Sequence, residues 1–285
     1  MKDCQTESRA DHRAMRAVAH LTELNVYPVK SCRGISLTEA VLTPHGIEYD
    51  REWMFVDEAG QFVTQRTFPR LALIETELTT EALRLRAPGR DALGIPFAPS
   101  PVSERPVQIW QHATTALDEG EAAAAWLADF LGARLRLVRW HPSQRRLSNP
   151  DWTGGVEAEN RFTDGYPYLV LSEESVADLN LRIGGVPLPM NRFRPNLVIA
   201  GVAPYAEDSL RTLRTDRIEL RLVKPCIRCR IITTDQTTAE VGVEPLRTLA
   251  GYRRDPRFAG PHFGQNAILL AGVGRLRVGS EFVVE

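Results

Sequence analysis

The stretch LVKPCIRCRIITTD, residues 222–235, is the densest group of chemically reactive side chains in this sequence. It contains two of the four cysteines, Cys226 and Cys229, in a Cys-x-x-Cys pair. Lysine and arginine residues surround the pair, and neighbouring cations favour the thiolate over the thiol. A thiolate among cations suits a soft metal or a redox reaction. The pair is also compatible with half of a zinc site, with a redox disulfide, or with two small buried residues.

Two of these alternatives can be compared with the rest of the chain. A zinc site needs two further ligands, but there is no second cysteine pair and the histidines are scattered. A thioredoxin-like site needs the pair at a strand-to-helix turn. Here residues 217–223 alternate as in a strand, and residues 231–234 are β-branched and also typical of a strand. We therefore expect the pair on a tight connection between strands, which counts against the thioredoxin type.

The composition is that of an ordinary globular protein. The chain has 285 residues, 43% hydrophobic and 25% charged, which is enough for one large domain or two of medium size. A net charge of −1 gives no indication of nucleic-acid binding. Four cysteines do not make a disulfide framework, so we expect a reducing compartment and a cytoplasmic location. With no apolar run of about 18 residues, no membrane association is expected, and residues 1–16 are predicted to be a disordered tail.

Short strands and one clear helix are predicted in the first half of the chain. The helix covers residues 118–131, with Asp118 as its cap, Gly132 as its end and an apolar face that we interpret as core. Residues 57–60 predict a hairpin turn, and residues 88–106 predict a long loop. Strands are predicted at residues 18–28, 53–56, 71–78, 82–86, 107–110 and 135–139.

The second half continues in the same way. Residues 141–155 predict an exposed loop, and a domain boundary is expected near residues 134–142. Ser172 is predicted to cap a helix that ends near Ile183, with two glutamates in its first turn. The further predictions are strands at residues 168–171, 197–200 and 267–270, a short helix at residues 244–249, and a closing hairpin-like strand pair in residues 275–285.

At the cysteine pair the sequence resembles the MOSC-domain molybdoenzymes, in particular those of the amidoxime-reducing component type. The resemblance extends from about residue 20 to the C-terminus and is carried by several motifs in the same order. These are VYPVKS (26–31), YDR (49–51), RFRPN (192–196), YAEDS (205–209), KPCIRC (224–229), TTD (233–235) and FGQN (263–266). Several ordered motifs are far more specific than one cysteine pair.

The resemblance implies a site for the molybdenum cofactor, in which molybdopterin holds molybdenum. Cys229 matches the molybdenum ligand, which is also the catalytic residue, and Lys30 and Ser31 match the positions that bind the pterin phosphate. Cys229 is also expected to open a strand at residues 230–234, where a ligand is held more rigidly than in a turn. The other implied cofactor-binding residues are Arg51, Tyr166, Arg194, Asn196, Arg228 and Asn266. The family often has tyrosine in place of Asn266, which affects the shape of the pocket.

The residues themselves leave other interpretations open. The turn that contains Lys30 is also compatible with an ordinary basic surface turn. Arg51 lies next to a strand that we expect to be buried, so its charge needs a partner, which is either a cofactor phosphate or an internal carboxylate. Arg192, Arg194 and Asn196 are equally compatible with a structural network.

Many short strands with few helices predict a β-rich α+β protein. The resemblance implies two intertwined parts, an N-terminal β-barrel-like domain (residues 17–133) packed on a C-terminal MOSC β-barrel (residues 134–285). Because the candidate cofactor residues come from both parts, we expect the site in the cleft between them.

The resemblance also implies the activity, a molybdenum-dependent oxidoreductase that reduces N-hydroxylated compounds by abstracting oxygen. Its small-molecule substrates would be amidoximes, hydroxylamines or N-hydroxylated bases. No further cysteines have the spacing of an iron–sulfur cluster, so we expect electrons from a separate ferredoxin, flavoprotein or cytochrome. The alternative is a non-catalytic carrier of molybdenum cofactor or of sulfur, as MOSC domains fused to cofactor sulfurases suggest.

Overall fold

Strands dominate the structure, a computed structural model that describes residues 17–98, 103–272 and 274–285. The strands in these ranges are β1 (Val18–Val26), β2 (Ile35–Leu37), β3 (Glu39–Thr43), β4 (Gly46–Ile47), β5 (Trp53–Val56), β6 (Glu75–Leu78), β7 (Ala82–Arg86), β8 (Leu93–Pro96), β9 (Glu104–Ile109), β10 (His112–Asp118), β11 (Arg136–Trp140), β12 (Tyr168–Ser172), β13 (Leu197–Ala200), β14 (Thr212–Arg214), β15 (Glu219–Ile227), β16 (His262–Ala271), β17 (Gly274–Arg277) and β18 (Glu281–Val284). The α-helices are α1 (Glu121–Leu131), α2 (Pro150–Thr153), α3 (Glu173–Ile183) and α4 (Leu246–Tyr252). None of them has the length and apolar character that crossing a membrane requires.

Seven strands close into a barrel. Their order is β13-β12-β16-β15-β14-β18-β1, and β1 closes the barrel by pairing with β13. Ala19, Leu21 and Leu24 of β1 point into the barrel and are at most 1% exposed, and the alternation shifts by one residue at the irregularity between Leu21 and Glu23. A barrel built mainly from the second half of the chain is therefore completed by the first described strand.

The other sheets form a second part beside the barrel. β5, β11, β10 and β9 pair in that order, β6, β7 and β8 form a three-stranded sheet, and β3 pairs with β4 and β17. Helix α1 packs against the sheet that contains β11. Its residues Ala123, Leu127 and Phe130 are buried in one hydrophobic cluster. The predicted core face of α1 and the predicted β-rich α+β class are both confirmed.

The start of α1 differs from the prediction. Asp118 ends β10 instead of capping the helix, and the cap position is Gly120. The Asp118 carboxylate accepts hydrogen bonds from Arg136 and Arg105 at 2.7 and 2.8 Å, so its charge is already satisfied across the sheet. The end of α1 is as predicted, because Gly132 adopts a left-handed conformation with φ 68°.

Helix α3 and strand β5 match their predictions closely. Ser172 caps α3 by accepting a hydrogen bond from the Ser175 backbone N–H at 3.1 Å. All of β5 is buried, as expected for a short apolar run. The residues after the 57–60 turn do not form a regular second strand of a hairpin. They pair with β5 and β9 only through isolated bridges.

Three predicted segments are wrong in their secondary structure. Residues 231–234 are not a strand, because Arg230–Thr233 forms a 3₁₀ turn in which Thr233 Oγ1 donates to the Arg230 carbonyl at 2.8 Å. Residues 71–78 divide into a 3₁₀ turn, Pro69–Leu73, and β6. The predicted loop at 88–106 contains β8 and the start of β9, and residues 99–102 lie outside the described ranges.

Three further predictions are wrong, and they concern the last two strands, the position of Asn266 and the loop at residues 141–155. β17 and β18 do not pair with each other, because β17 joins β3 while β18 joins β1 and β14. Asn266 lies in the middle of β16 instead of at its start. The predicted exposed loop at 141–155 contains the short helix α2, which Asn149 caps.

The division into residues 17–133 and 134–285 stays a prediction. Strand β11 follows the predicted boundary at once, yet it pairs with β5 and β10 of the first half. The predicted tail, residues 1–16, lies outside the described residues.

Candidate functional site

One cavity collects every predicted site residue. It has a volume of about 130 Å³ and is open to solvent on one side. Its lining includes Lys30, Ser31, Arg51, Tyr166, Arg194, Asn196, Arg228, Cys229 and Asn266. These residues come from both halves of the chain, so the site lies where the barrel meets the turns of the first half. Their roles in binding stay predictions.

Strands β15 and β16 position the cysteine motif. Lys224 and Asn266 are partners in this antiparallel pair, and the Asn266 side-chain amide donates to the carbonyls of Lys224 and Pro225 at 3.2 and 3.4 Å. Cys226 is still part of β15, whereas Cys229 follows the strand and precedes the 3₁₀ turn. The expectation that Cys229 opens a strand is therefore wrong, because the chain turns there instead of extending.

Burial affects the pKa of the Cys226 thiol more than the neighbouring charges do. Burial raises the pKa of the Cys226 thiol, although Arg228 and Lys224 act in the opposite direction. The expectation that neighbouring cations favour the thiolate is thus wrong for Cys226. Within the described ranges no group of three or more His, Cys, Asp or Glu side chains is placed to hold a metal ion.

Arg51 and Arg194 both lie close to one aromatic ring, that of Tyr27. Their guanidinium carbons lie 4.2 and 4.3 Å from the centre of the Tyr27 ring. Arg51 pairs with the buried Asp50 at 2.6 Å, so an internal carboxylate satisfies its charge. Arg51 also donates to Asn196 Oδ1 at 3.2 Å. Both arginines have positive φ, 47° for Arg51 and 56° for Arg194, which marks this corner as strained.

Arg194 has no carboxylate partner among the described residues. One of its nitrogens, Nη1, donates to the Cys32 carbonyl at 2.6 Å, and the other, Nη2, is buried without any hydrogen bond. Burial, followed by the charge of Arg51, lowers the pKa of Arg194 to about 10, so it remains a cation at neutral pH. A buried cation without a counter-charge is costly unless an anion occupies the site.

The turn at Lys30 and Ser31 is not an ordinary surface turn, because both residues are buried. Lys30 Nζ donates to Asp164 at 2.5 Å and to the Phe162 carbonyl at 2.9 Å. Ser31 has a φ of 70°, and its carbonyl accepts a hydrogen bond from Gln65 at 2.7 Å. A phosphate at this turn would share Lys30 with Asp164.

Further unpaired donors line the same cavity. Arg228 donates to the carbonyls of Phe263 and Phe193 at 2.8 and 2.9 Å, and its third nitrogen, Nη2, is buried without a partner. The Tyr166 hydroxyl is also buried and unpartnered, and burial raises its pKa to about 12, so it stays protonated. The molybdenum cofactor carries a phosphate whose oxygens accept several charge-assisted hydrogen bonds. The orphaned donors of Arg194, Arg228 and Tyr166 therefore fit that group.

Sequence reasoning missed three contributors to the site. Arg192 lines the cavity with an unpartnered Nε and holds the cysteine segment by donating to the Thr233 carbonyl and to Asp235. Its place in the RFRPN motif was the available signal. Tyr27 and Asp164 gave weaker signals, since Tyr27 lies within VYPVKS and Asp164 lies in none of the family motifs.

Comparison with known families gives two adjacent matches. Residues 18–134 match the MOSC N-terminal beta barrel domain, and residues 157–283 match the MOSC domain. The two matches leave only residues 135–156 between them, so they cover nearly all of the described chain.

Curated relatives of two kinds are similar to the chain. Mitochondrial amidoxime-reducing component 1 of Mus musculus is 36% identical over 94% of this chain and 82% of that protein. The Homo sapiens protein of the same name is 35% identical over 94% of this chain and 83% of that protein. A molybdenum cofactor sulfurase of Oryza sativa subsp. japonica is 33% identical over 86% of this chain but only 32% of its own length. The prediction of a cytoplasmic location is wrong on this finding, because the amidoxime-reducing relatives are named mitochondrial.

Proposed function

The chain belongs to the MOSC family that combines an MOSC N-terminal barrel domain with a MOSC domain, and its function is related to the molybdenum cofactor. From this membership we propose that the protein binds molybdenum cofactor in the cavity and reduces N-hydroxylated compounds. Each turnover would consume two electrons and two protons, cleave the N–O bond, and release the amine or amidine with one water.

One observation carries the proposal. Buried donors of Arg194 and Arg228 line the cavity that also contains Cys229, and they have no hydrogen-bond partner among the described residues. Leaving charged donors unsatisfied costs several kcal/mol in general. Anionic oxygens supplied by a bound cofactor would remove this cost, which supports a phosphate-bearing group as the occupant.

Each residue would have the role that its side-chain chemistry allows. Arg194 and Arg228, with Lys30 beside Asp164, would hold the phosphate through charge-assisted hydrogen bonds. Cys229 would supply the thiolate ligand to molybdenum. Asn266 would act indirectly, since its amide fixes the backbone of residues 224 and 225 just before Cys226. The cofactor, when bound, supplies two-electron oxygen-transfer chemistry at the metal.

Metal analysis combined with a reductant test examines this proposal. Protein purified from a host that makes the cofactor should contain molybdenum and pterin in stoichiometric amounts. Reduced methyl viologen should drive conversion of benzamidoxime to benzamidine, whereas NADH alone should not, because the electrons are proposed to come through a separate protein. Zinc in place of molybdenum, or no viologen-driven turnover by the molybdenum-loaded protein, would contradict the proposal.

A second candidate function is supported by the sulfurase relatives. In that case the protein would carry molybdenum cofactor or sulfur without turning over N-hydroxylated compounds. A sulfur carrier would form a cysteine persulfide, which intact-mass spectrometry detects as an added mass of sulfur. A persulfide on Cys226 or Cys229 together with no benzamidoxime reduction would favour this candidate.

A further inference from the structure

A second depression, which we call the basic groove, lies beside the cavity. Its volume is about 590 Å³. One wall consists of the 3₁₀ turn Arg230–Thr233 and residues 241–243, and the other consists of α4 and residues 259–261. Arg228 lines both the cavity and the basic groove. Because Arg230 directly follows Cys229, only a short segment of chain separates the groove from the predicted metal ligand.

The surface of the basic groove combines positive charge with apolar side chains. Arg230, Arg247 and Arg254 are exposed, and of the residues that the structure describes no aspartate or glutamate lines the groove. Arg247 pairs with Glu244 at 2.6 Å, whereas Arg230 and Arg254 form no ion pair with any described residue. Val241 and Val243 are 44% and 60% exposed. Exposed apolar residues rimmed by like charges are typical of a surface that binds an oppositely charged partner.

The walls of the basic groove are tied to the cysteine segment by backbone hydrogen bonds. The Arg228 N–H donates to the Pro261 carbonyl at 2.8 Å, and the Gly242 N–H donates to the Thr233 carbonyl at 3.0 Å. A Cβ at Gly260 would lie 3.2 Å from the Arg228 carbonyl, so glycine allows this close contact. The groove is therefore preformed and has a fixed position relative to Cys229.

We propose that the basic groove docks an acidic one-electron carrier protein, an inference that rests on the proposed function. Electron-transfer complexes use small interfaces that charge attraction forms quickly and that separate readily. Two successive dockings of the reduced carrier would deliver the two electrons of one turnover, and solvent would deliver the two protons. The carrier is oxidised, the N-hydroxylated substrate is reduced to the amine or amidine, and its oxygen leaves as water.

Charge reversal in the basic groove tests the proposal. The probe is an acidic plant-type [2Fe–2S] ferredoxin, kept reduced by its reductase and NADPH, with benzamidoxime as substrate. The molybdenum-loaded variants are Arg230→Glu, Arg254→Glu and the control Arg217→Glu. Arg217 is exposed and precedes the far end of β15, roughly 30 Å along the strand from the cysteine motif. Every protein is assayed in parallel with reduced methyl viologen, which needs no docking site.

In the basic-groove variants, ferredoxin-driven kcat/KM should fall at least about tenfold at low ionic strength, while Arg217→Glu stays within about twofold of the parent protein. The parent rate should also fall as salt is added, and the basic-groove variants should be less sensitive to salt. Viologen-driven rates should be alike in all four proteins. Arg230→Glu could also disturb Cys229, its neighbour in the chain. Arg254→Glu controls for such a local effect, because Arg254 belongs to a different segment.

Other outcomes separate the two proposals. If the parent protein shows no viologen-driven turnover, the proposed function fails. If viologen works but ferredoxin does not, or if all variants accept ferredoxin electrons equally, docking of an acidic carrier at the basic groove is overturned. It is likewise overturned if charge reversal changes only self-association in light scattering or only co-sedimentation with anionic vesicles.

Discussion

Cys226 and Cys229 line the same cavity, but their backbones differ. Cys226 belongs to β15, and Cys229 lies in the connection to the 3₁₀ turn. Backbone regularity alone therefore does not select Cys229 as the ligand. We assign it that role because it matches the second cysteine of the family motif, and a pair of single substitutions distinguishes the two thiols.

We expect Cys229→Ser to lower viologen-driven benzamidoxime reduction by at least about a hundredfold, more than the loss of an outer-shell partner does. X-ray absorption should show one sulfur fewer around molybdenum. The matched change Cys226→Ser, three residues away, should keep half or more of the activity, since we assign this half-buried thiol only a role in packing or local hydrogen bonding. An inactive Cys226→Ser with an active Cys229→Ser would reverse the assignment, and loss in both would indicate a paired role.

Arg194 is a predicted phosphate-binding cation that has no carboxylate partner among the described residues. We expect Arg194→Ala to weaken cofactor binding by about 1.5–3 kcal/mol, which is roughly tenfold to a hundredfold. The measurements are molybdenum and pterin per protein. Arg70→Ala is the control, because Arg70 also lies over an aromatic ring, that of Phe130 at 4.4 Å, but is not among the residues that line the cavity. Full molybdenum content in folded Arg194→Ala would remove Arg194 from the site.

At the scale of elements, the close packing of β16 depends on one glycine, Gly264. Gly264 has a φ of 76°, and a Cβ there would lie 2.8 Å from the Val170 carbonyl and 3.4 Å from Arg228 Nη2. Because residue 264 has no side chain, β16 can lie this close to both β12 and the Arg228 side chain.

We expect Gly264→Ala to lower the free energy of unfolding by about 1–3 kcal/mol and to reduce molybdenum content by displacing Arg228. Urea denaturation measures the first effect and metal analysis the second. Gly251→Ala in α4 is the matched control, because nothing lies within 4 Å of its Cβ and its φ is not positive. It should be neutral or slightly stabilising. Equal stability of the two variants would show that β16 tolerates a side chain at residue 264.

Single elements were predictable to the extent that local chemistry determined them. The Ser172 cap, the buried β5 and the presence of a strand at β1 follow from residue type and spacing. Residues 231–234 were not predictable in this way. Their β-branched side chains favour a strand, but Arg192 and the Gly242 N–H both bind the Thr233 carbonyl and hold it in a 3₁₀ turn. Such tertiary bonds override local preference.

At the scale of the whole molecule, β1 links the two ends of the chain. It pairs with β13 on one edge and with β18 and β2 on the other. Without β1, both β13 and β18 would expose an unpaired edge, and the apolar interior of the barrel would open to water.

We therefore expect residues 134–285 expressed alone to be unfolded or aggregated, although they include every other barrel strand. A peptide of residues 17–37, which carries β1 and β2, should restore native-like amide dispersion when added during refolding. Residues 17–285 serve as the reference. A cooperative unfolding transition for residues 134–285 without the peptide would show that the barrel does not depend on β1.

The sequence by itself determined the β-rich class, the strands with clear alternation, the capped helix α3, and the set of residues that meet in the cavity, because ordered motifs and local spacing carry that information. Only the tertiary structure decided how these residues are paired. Arg51 pairs with its neighbour Asp50, Lys30 pairs with Asp164 from a distant part of the chain, and Arg194 has no carboxylate partner in the described part of the chain. Closure of the barrel by β1, and the separate partners of β17 and β18, were decided in the same way. The physical reason is that charge pairs and strand registers join residues distant in the chain, and their energies depend on burial and geometry that arise only when the chain has folded.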